Sequence, residues 1–194
     1  INIRQRTDVA EKNSVIIDVD IDKKEKMKVH KITIVGNNNL PLKKIKGTLF
    51  TKGALSKTNE AGKLYSFFKA KKFTPERYKE DKQNLIEKYN EYGFRDATIL
   101  EDSIVQYDDK HVDVYIKVDE GQKYYIRNIN WVGNTVYNTD QLAAVLGMRK
   151  GDVYNQKLMS KRLQEDEDAV GNMYWNNGYL FYSLQPTETN IVGD

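Results

Sequence analysis

The sequence predicts an α+β fold built as a tandem array of small modules, each with the element order β-α-α-β-β. The first observation is an internal repeat: the segment 126–134 (IRNINWVGN) restates 29–37 (VHKITIVGN) 97 positions later, and the match continues upstream from 112–119 to 15–22. The second observation is that apolar residues within one repeat change from alternating to helical spacing and back. A unit that recurs after the length of a small domain indicates a row of like modules, each with its own core.

A second block recurs at a shorter spacing and locates an insertion. Residues 78–94 return as 163–179, 85 positions later, so the earlier copy contains about a dozen extra residues, which we place near 53–72. We divide the chain into 1–27, the C-terminal hairpin of a preceding module; 28–121, a complete module with the insertion; and 122–194, a following module that ends after its second strand, near 185–190, and before its last strand. Because the pattern begins in mid-module, we interpret the chain as a fragment.

The complete module begins with a strand and a short helix. Residues 29–35 alternate and are followed by Gly-Asn, two residues that tolerate positive φ, so a strand is expected to end there. Apolar residues then recur at helical spacing after Pro41, a residue suited to the first turn of a helix. In the following module, the corresponding helix is expected to begin with Thr139 as its cap and to stop at Gly147.

A longer helix and two strands complete the module. The helix is expected to start with Thr74 as its N-cap and to close at Gly93, with one apolar face made of Tyr78, Leu85, Ile86 and Tyr89. Strands are expected at 97–105 and 111–118, and the latter alternates cleanly, with Val112, Val114, Ile116 and Val118 pointing inward. Such a three-stranded mixed sheet packs both helices on one face and leaves the other face in water.

Composition limits the classes of function. The chain has 194 residues, of which 39% are hydrophobic and 30% charged, as in globular domains. Its net charge of +3 comes from 31 basic and 28 acidic residues that are well mixed, which gives no support to nucleic-acid binding. The absence of Cys excludes disulfide and thiolate chemistry, and no apolar run has the length of a transmembrane helix.

Two groups of residues could in principle bind a metal ion. His30 and His111 are the two histidines of the chain, and they lack the spacing of metal ligands, so we assign them structural roles. Asp18, Asp20 and Asp22 alternate on one strand and share a face, but no glycine-centred loop supports calcium binding. We therefore predict a solvated face, no metal site and no cofactor.

The remaining candidates also favour structure over chemistry. The acidic run 165–168 is expected inside the second helix of the last module, exposed to solvent. Trp131 and Trp175 are expected in a core or between modules. No Ser-His-Asp grouping, phosphate-binding glycine loop or pair of buried carboxylates is evident, so we predict that the protein is not an enzyme.

Several motifs resemble POTRA (polypeptide-transport-associated) domains. These are the order β-α-α-β-β, the strand ending in Gly-Asn, the Tyr-x-x-x-Gly-aromatic ending of the second helix at 89–94 and 174–179, and Val-Asp-Glu-Gly at 118–121. The tandem array resembles the periplasmic arm of the BamA family of outer-membrane protein assembly factors, and the segment 67–78 is similar to versions from the Bacteroidetes. The chain departs from the family pattern at 21–24, where Ile-Asp-Lys-Lys replaces the expected glycine.

The resemblance implies a function at a backbone edge. In this family the third strand is central and the second lies at an edge, where it can accept an extended peptide by strand addition. The expected peptide-binding edge is Thr98, Ile99, Leu100, Glu101, Asp102 and Ser103. The implied partners are unfolded outer-membrane protein segments, accessory outer-membrane lipoproteins and a C-terminal membrane barrel of the same full-length chain, at the periplasmic face of the bacterial outer membrane.

Three alternatives remain open. Within the family, the chain could be the arm of a two-partner secretion transporter or of a chloroplast import channel. The array could also be a spacer that only positions lipoprotein partners. In a different class, it could bind single-stranded RNA on a sheet face, as RRM domains do, but that fold has the order β-α-β-β-α-β, and Asp113 and Asp119 on the open face would repel phosphate.

Overall fold

The structure is a computed structural model, and it describes residues 2–7, 15–21, 26–46, 53–55, 58 and 72–189. The strands in this part of the chain are β1 (Asn2–Thr7), β2 (Val15–Asp20), β3 (Lys28–Val35), β4 (Thr98–Asp108) and β5 (His111–Asp119). The α-helices are α1 (Leu42–Lys46), α2 (Pro75–Glu91), α3 (Thr139–Leu146), α4 (Gln156–Ser160) and α5 (Val170–Trp175). Most of the expected insertion near 53–72, and the first part of the Bacteroidetes-like segment 67–78, lie outside the described residues, so both stay predictions.

Three strands form the mixed sheet that the sequence predicts, in the order β3-β5-β4. β3 runs parallel to β5, with Val29 opposite Val112 and Ile34 opposite Ile116. β4 runs antiparallel to β5 and is joined to it by a tight turn at 109–110. The last strand of the module is therefore central, and the strand before it lies at an edge. β1 and β2 form a separate antiparallel hairpin.

The two helices of this unit share one apolar core with the inner face of the sheet. The inward side chains of β5 are the ones that the alternation predicts, and none is more than 7% exposed: Val112, Val114, Ile116 and Val118. They belong to the same cluster as Ile45 of α1 and Leu85 and Tyr89 of α2, which are fully buried. Thr74 caps α2 as predicted, because its hydroxyl accepts a hydrogen bond from the backbone N–H of Arg77 at 3.3 Å.

The residue after β5 holds the loop that follows β3. The buried carboxylate of Glu120 accepts hydrogen bonds from the backbone N–H groups of Asn39 (2.9 Å) and Leu40 (3.1 Å). Gly36 has a φ of 85°, and a Cβ there would lie 2.0 Å from the carbonyl oxygen of Val118. The glycine that ends the first strand and the acidic residue after the last strand thus both join the loop after β3 to the end of β5.

The last part of the chain repeats the same loop chemistry over a second core. The side-chain amide of Asn134 donates to the carbonyl of Tyr137 at 3.1 Å, as that of Asn37 donates to the carbonyl of Leu40 at 3.4 Å. A separate cluster of buried side chains lies beneath this loop: Leu142, Leu146, Met148, Leu163 and Val170. The chain thus has at least two separate small cores.

The start of α3 differs from the prediction. Thr139 is the first residue of the helix, and the cap is Asn138. The side chains of Asn138 and Gln141 each accept the other's backbone N–H at 2.9 Å, which satisfies two donors at the helix start at once. The predicted end is confirmed, since Gly147 follows the helix with a φ of 68°.

The stretch 126–132 is not a strand, although its sequence repeats that of β3. Tyr125 forms one isolated bridge with Val153, and within 122–189 no strand occupies the place that β5 takes beside β3. A strand needs a neighbour to pair its N–H and C=O groups, and the described residues do not provide one here. The strand expected near 185–190 is likewise not formed in 183–189.

Only Glu165 of the acidic run 165–168 lies in a helical turn, so the prediction that the run lies inside the second helix is wrong. The second helix of this part is interrupted by a π-helical turn (Lys161–Glu165), after which Asp166 has an extended backbone with a ψ of 151°. Arg162 bridges the interruption, with Nη1 2.6 Å from Asp168 and Nε donating to the carbonyl of Val145 at 3.2 Å. The bond to Val145 satisfies a carbonyl in the last turn of α3, and the bond to Asp168 joins the two sides of the interruption.

The two parts of the chain pack together around the turn between α2 and β4. The backbone N–H of Tyr124 donates to the carbonyl of Gly93 at 2.9 Å, and its hydroxyl donates to Asp96 at 2.5 Å. The guanidinium of Arg95 lies 2.7 Å from the carboxylate of Glu188. The turn therefore anchors the following part of the chain through both backbone and side chains.

Candidate functional site

The candidate site is the free edge of β4. Within the described residues, β4 pairs with β5 alone. Its ladder has one irregularity between Ile99 and Glu101 and another between Gln106 and Asp108, and the run between them is regular. In an antiparallel pair, alternate residues turn their N–H and C=O groups away from the neighbour. The run 101–106 therefore presents an uninterrupted row of outward backbone donors and acceptors.

The side chains of β4 are exposed along nearly its whole length. Of the residues 98–108, Ile99 alone is half-buried, and it packs against the core. Leu100, at the irregularity, is 58% exposed, and Val105 is 60% exposed. Apolar side chains on an otherwise charged, open edge are consistent with a surface that contacts another chain.

The structure distributes the six predicted edge residues over two segments. Thr98 and Ile99 pair with the end of β5, whereas Glu101, Asp102 and Ser103 open the regular run. Leu100 is the extra residue between them, which sequence reasoning did not locate. Three residues outside the predicted set, Ile104, Val105 and Gln106, continue the run, and the strand expected at 97–105 already included the first two of them.

One ion pair ties the middle of β4 to the helix layer. The ammonium of Lys82 on α2 lies 2.9 Å from the carboxylate of Asp102 and 5.1 Å from the centre of the Tyr78 ring. Tyr78 is buried, and its ring contacts Phe73. This contact fixes the helix-facing side of β4, so the strand is held in place without its outer edge being covered.

The far end of β4 is fastened on the open face of the sheet. The ring of Tyr107 stacks on that of His30 at 3.9 Å between centroids, and His30 Nδ1 lies 2.8 Å from Asp113. Asp108 accepts the backbone N–H of Lys110 at 2.7 Å and lies 2.9 Å from His111 Nδ1. The hydrogen bond from Lys110, and then the one from His111, lower the pKa of Asp108.

The other candidates have different positions. Both histidines have carboxylate partners, and among the described residues no three His, Asp or Glu side chains are grouped so as to hold a metal ion. Asp18 and Asp20 lie on β2, and Asp22 falls outside the described residues. Trp131 packs against the second core as predicted. Trp175 is 55% exposed and does not lie in a core, so for it only packing against a further module stays a prediction.

None of the helices in the described ranges combines the length and apolar character needed to span a bilayer.

Comparison with known proteins agrees with this geometry. The family model POTRA, described as "Surface antigen variable number repeat", matches residues 27–121 and 124–193. The chain is 26% identical over 114 residues to "Outer membrane protein assembly factor BamA" of Neorickettsia risticii, which is 56% of this chain and 15% of that protein. It is 24% identical over 188 residues to a "Putative outer membrane protein assembly factor" of Treponema pallidum, which is 92% of this chain and 20% of that protein.

A solved structure has a similar fold. The crystal structure of Haemophilus influenzae BamA POTRA3-5 superposes with a TM-score of 0.50 at 17% identity, over 74% of this chain and 54% of that one. The chain thus spans about a fifth or less of the length of the curated relatives named above. On the two matches to the family model and the β-α-α-β-β unit around the mixed sheet, the chain belongs to the POTRA family, as an array of POTRA domains of the type found in BamA-like outer-membrane protein assembly factors.

Proposed function

We propose that the chain is part of the periplasmic arm of an outer-membrane β-barrel assembly factor and that it guides unfolded outer-membrane proteins by β-augmentation. The observation that carries the proposal is the position of β4 at the sheet edge, exposed along its length and paired on one side only among the described residues. Backbone bonding to such an edge makes little demand on sequence. It therefore suits clients that share an extended conformation but few residues.

The predicted edge 98–103 is retained, and the geometry extends it. The regular run 101–106 offers the outward groups in register, while the extra residue at Leu100 makes 98–99 a poorer continuation. A partner strand of about five or six residues, the usual strand length, would fit this run.

The opposite edge, β3, is a weaker candidate. The carbonyl of Ile32 on β3 accepts a hydrogen bond from the ammonium of Lys46 on α1. The residue before β3, Met27, gives its carbonyl to the backbone N–H of Phe73 at 2.8 Å. Side-chain and loop bonds of this kind reduce the number of groups that an added strand could use.

The test uses a synthetic peptide of alternating Val and Thr, about ten residues long, and the same peptide N-methylated at every second residue. In NMR titrations of the chain, we expect the plain peptide to shift and protect amides in 101–106, with little effect on β3. N-methylation on the pairing side removes the donors that strand addition needs, so that analogue is expected not to bind. Equal binding of the two peptides, or shifts confined to other surfaces, would contradict edge pairing.

The remaining parts of the proposal concern the whole protein. We infer a location at the periplasmic face of the bacterial outer membrane, accessory outer-membrane lipoproteins as partners, and a C-terminal membrane barrel in the same full-length chain. The names of the BamA relatives support a place in outer-membrane protein assembly, whereas the lipoproteins and the barrel rest on the family resemblance alone. Fractionation of cells that express the full-length protein, followed by protease treatment of spheroplasts, tests the location, and co-purification with lipoproteins tests the partners.

The arm of a two-partner secretion or import transporter would use the same edge. Those arms have fewer modules as a rule, so the number of modules in the full-length protein distinguishes a transporter arm from the arm of an assembly factor. A role limited to positioning lipoproteins would be favoured if deletion of 28–121 abolished lipoprotein co-purification while variants that block the β4 edge left client folding unimpaired.

A further inference from the structure

The two edges of the central sheet carry opposite charge. The edge strand β4 contains three carboxylates, those of Glu101, Asp102 and Asp108, and no basic residue, although the whole chain has a net charge of +3. The opposite edge strand, β3, contains Lys28, His30 and Lys31 and no acidic residue. A segment that approaches the sheet in water therefore meets an acidic edge on one side and a basic edge on the other.

Along β4, one carboxylate of the regular run is available to a partner. Asp102 is paired with Lys82, and Asp108 is held by the turn at Lys110. Glu101 is exposed and forms no ion pair with any other described residue. Its charge can therefore interact with a side chain on an added strand without an existing ion pair having to break.

An apolar side chain lies on the same face of the same run. In the ladder with β5, Glu101 is opposite Lys117 and Val105 is opposite Asp113, with Ser103 between them. Residues 101, 103 and 105 of a regular strand point to one face. An added strand would place one side chain against the carboxylate of Glu101 and another, four residues away, against the exposed side chain of Val105.

The charges around Glu101 leave this face acidic. Lys117 stands across from it on β5, while Asp119 and Asp113 lie along the same face of β5, and Asp113 is shared with His30. One lysine thus faces three carboxylates on the open side of the hairpin. Charges directly opposite each other on neighbouring strands are stabilising when their signs differ and destabilising when they match.

We propose that the β4 edge selects extended segments that place Lys or Arg beside Glu101 and an apolar side chain beside Val105, a choice of client that rests on the proposed function of this edge. The expected partner is an extended segment in which apolar and polar residues alternate. On the face that meets β4, it has a basic residue four positions away from an apolar residue. Segments with an acidic residue at that position are disfavoured. The affinity of the edge for a segment therefore depends on the charge of that segment as well as on its extended backbone conformation.

The test compares three peptides of alternating Val and Thr that differ at one central Val position, replaced by Lys, Gln or Glu, so that Val remains four positions away on the same face. The expected order of affinity is Lys, then Gln, then Glu, with about a threefold step at each change, the size of one cross-strand charge pair. Because exposed charges are screened, the order is expected to flatten at about 0.5 M salt.

Glu101→Lys is expected to invert the order, and Glu101→Gln to abolish it. Glu167→Lys is the matched control, since Glu167 is exposed in the last part of the chain and the same change in net charge there is expected to leave the order intact. Circular dichroism of each variant verifies the fold.

The outcomes separate this inference from the proposed function. If all three peptides bind equally, or if Glu101→Lys leaves their order unchanged, charge selection is wrong while edge binding stands. If no peptide binds, or if binding survives N-methylation, the proposed edge function itself is wrong.

Discussion

Substitution of Gly36 by alanine, compared with the same change at Gly133, tests how the sheet closes on its first loop. The two glycines occupy the same position of the repeat and both have positive φ, 85° and 77°. Placing any L side chain in that conformation costs about 1–2 kcal/mol. At Gly133 nothing lies within 4 Å of the added Cβ, so the cost of the left-handed backbone conformation is the whole expected loss of stability.

At Gly36 the added Cβ would lie 2.0 Å from the carbonyl oxygen of Val118, well inside van der Waals contact. A backbone carbonyl in a paired strand cannot rotate aside, so β3 and β5 must separate locally, which adds about 1–3 kcal/mol of overpacking strain. The expected loss of stability is therefore about 2–5 kcal/mol for Gly36→Ala, against about 1–2 kcal/mol for Gly133→Ala.

Two readouts keep the effects apart. Both tryptophans, Trp131 and Trp175, lie in the last part of the chain, so urea denaturation followed by their fluorescence reports Gly133→Ala. Hydrogen exchange of the β5 amides, 111–119, reports Gly36→Ala, for which we expect faster exchange throughout the strand. Equal losses for the two variants, or unchanged exchange in β5 of Gly36→Ala, would refute the role of the Val118 contact.

Three further predictions follow from named contacts. Glu120→Ala leaves the backbone N–H of the buried Leu40 without an acceptor and leaves that of the exposed Asn39 to water, and it is expected to lower the free energy of unfolding by about 1–3 kcal/mol. The exposed Glu101→Gln should change it by less than about 0.5 kcal/mol, and urea denaturation by circular dichroism compares the two. Thr74→Ala removes the cap of α2 and is expected to cost about 1 kcal/mol, while Thr74→Ser should restore most of it. The pKa of Asp108 is lowered in the folded chain, so its contribution is present above the unfolded value of about 4 and is lost as pH falls through the folded value. The protection factors of the amides at 108–111, which are exchange rates relative to those of an unstructured peptide at the same pH, should therefore fall below about pH 4.

Much of the central unit follows from local pattern. The alternation in 111–118 selects one face of β5 for the core, and the repeat identifies which glycine must recur after each first strand. Central and edge positions of the strands were inferred from the resemblance, and the pairing order agrees with them. These features can be predicted from the sequence because the spacing of apolar residues and the residue preferences of turns depend on only a few neighbouring positions.

The misses have different causes. Periodicity in 156–175 alone predicts one helix, and it carries no sign of the π-helical turn at 161–165 or of the hydrogen bond from Arg162 to the carbonyl of Val145, 17 positions away. The extra residue at Leu100 has no compositional mark, because exposed strands tolerate any residue there. Asn138 outcompetes Thr139 as the cap through its partner Gln141, a pairing that a single-residue preference overlooks.

The turn at 93–97 has a mechanical consequence. It anchors the following part of the chain through Tyr124 and Glu188, and β4 departs from it at Thr98. A torque on that following part would therefore be transmitted to the root of the edge strand with no flexible linker between them. By thermodynamic reciprocity, a client strand that stiffens β4 would also stiffen the junction, and bending the junction would change the affinity of β4 for its client by the same free energy.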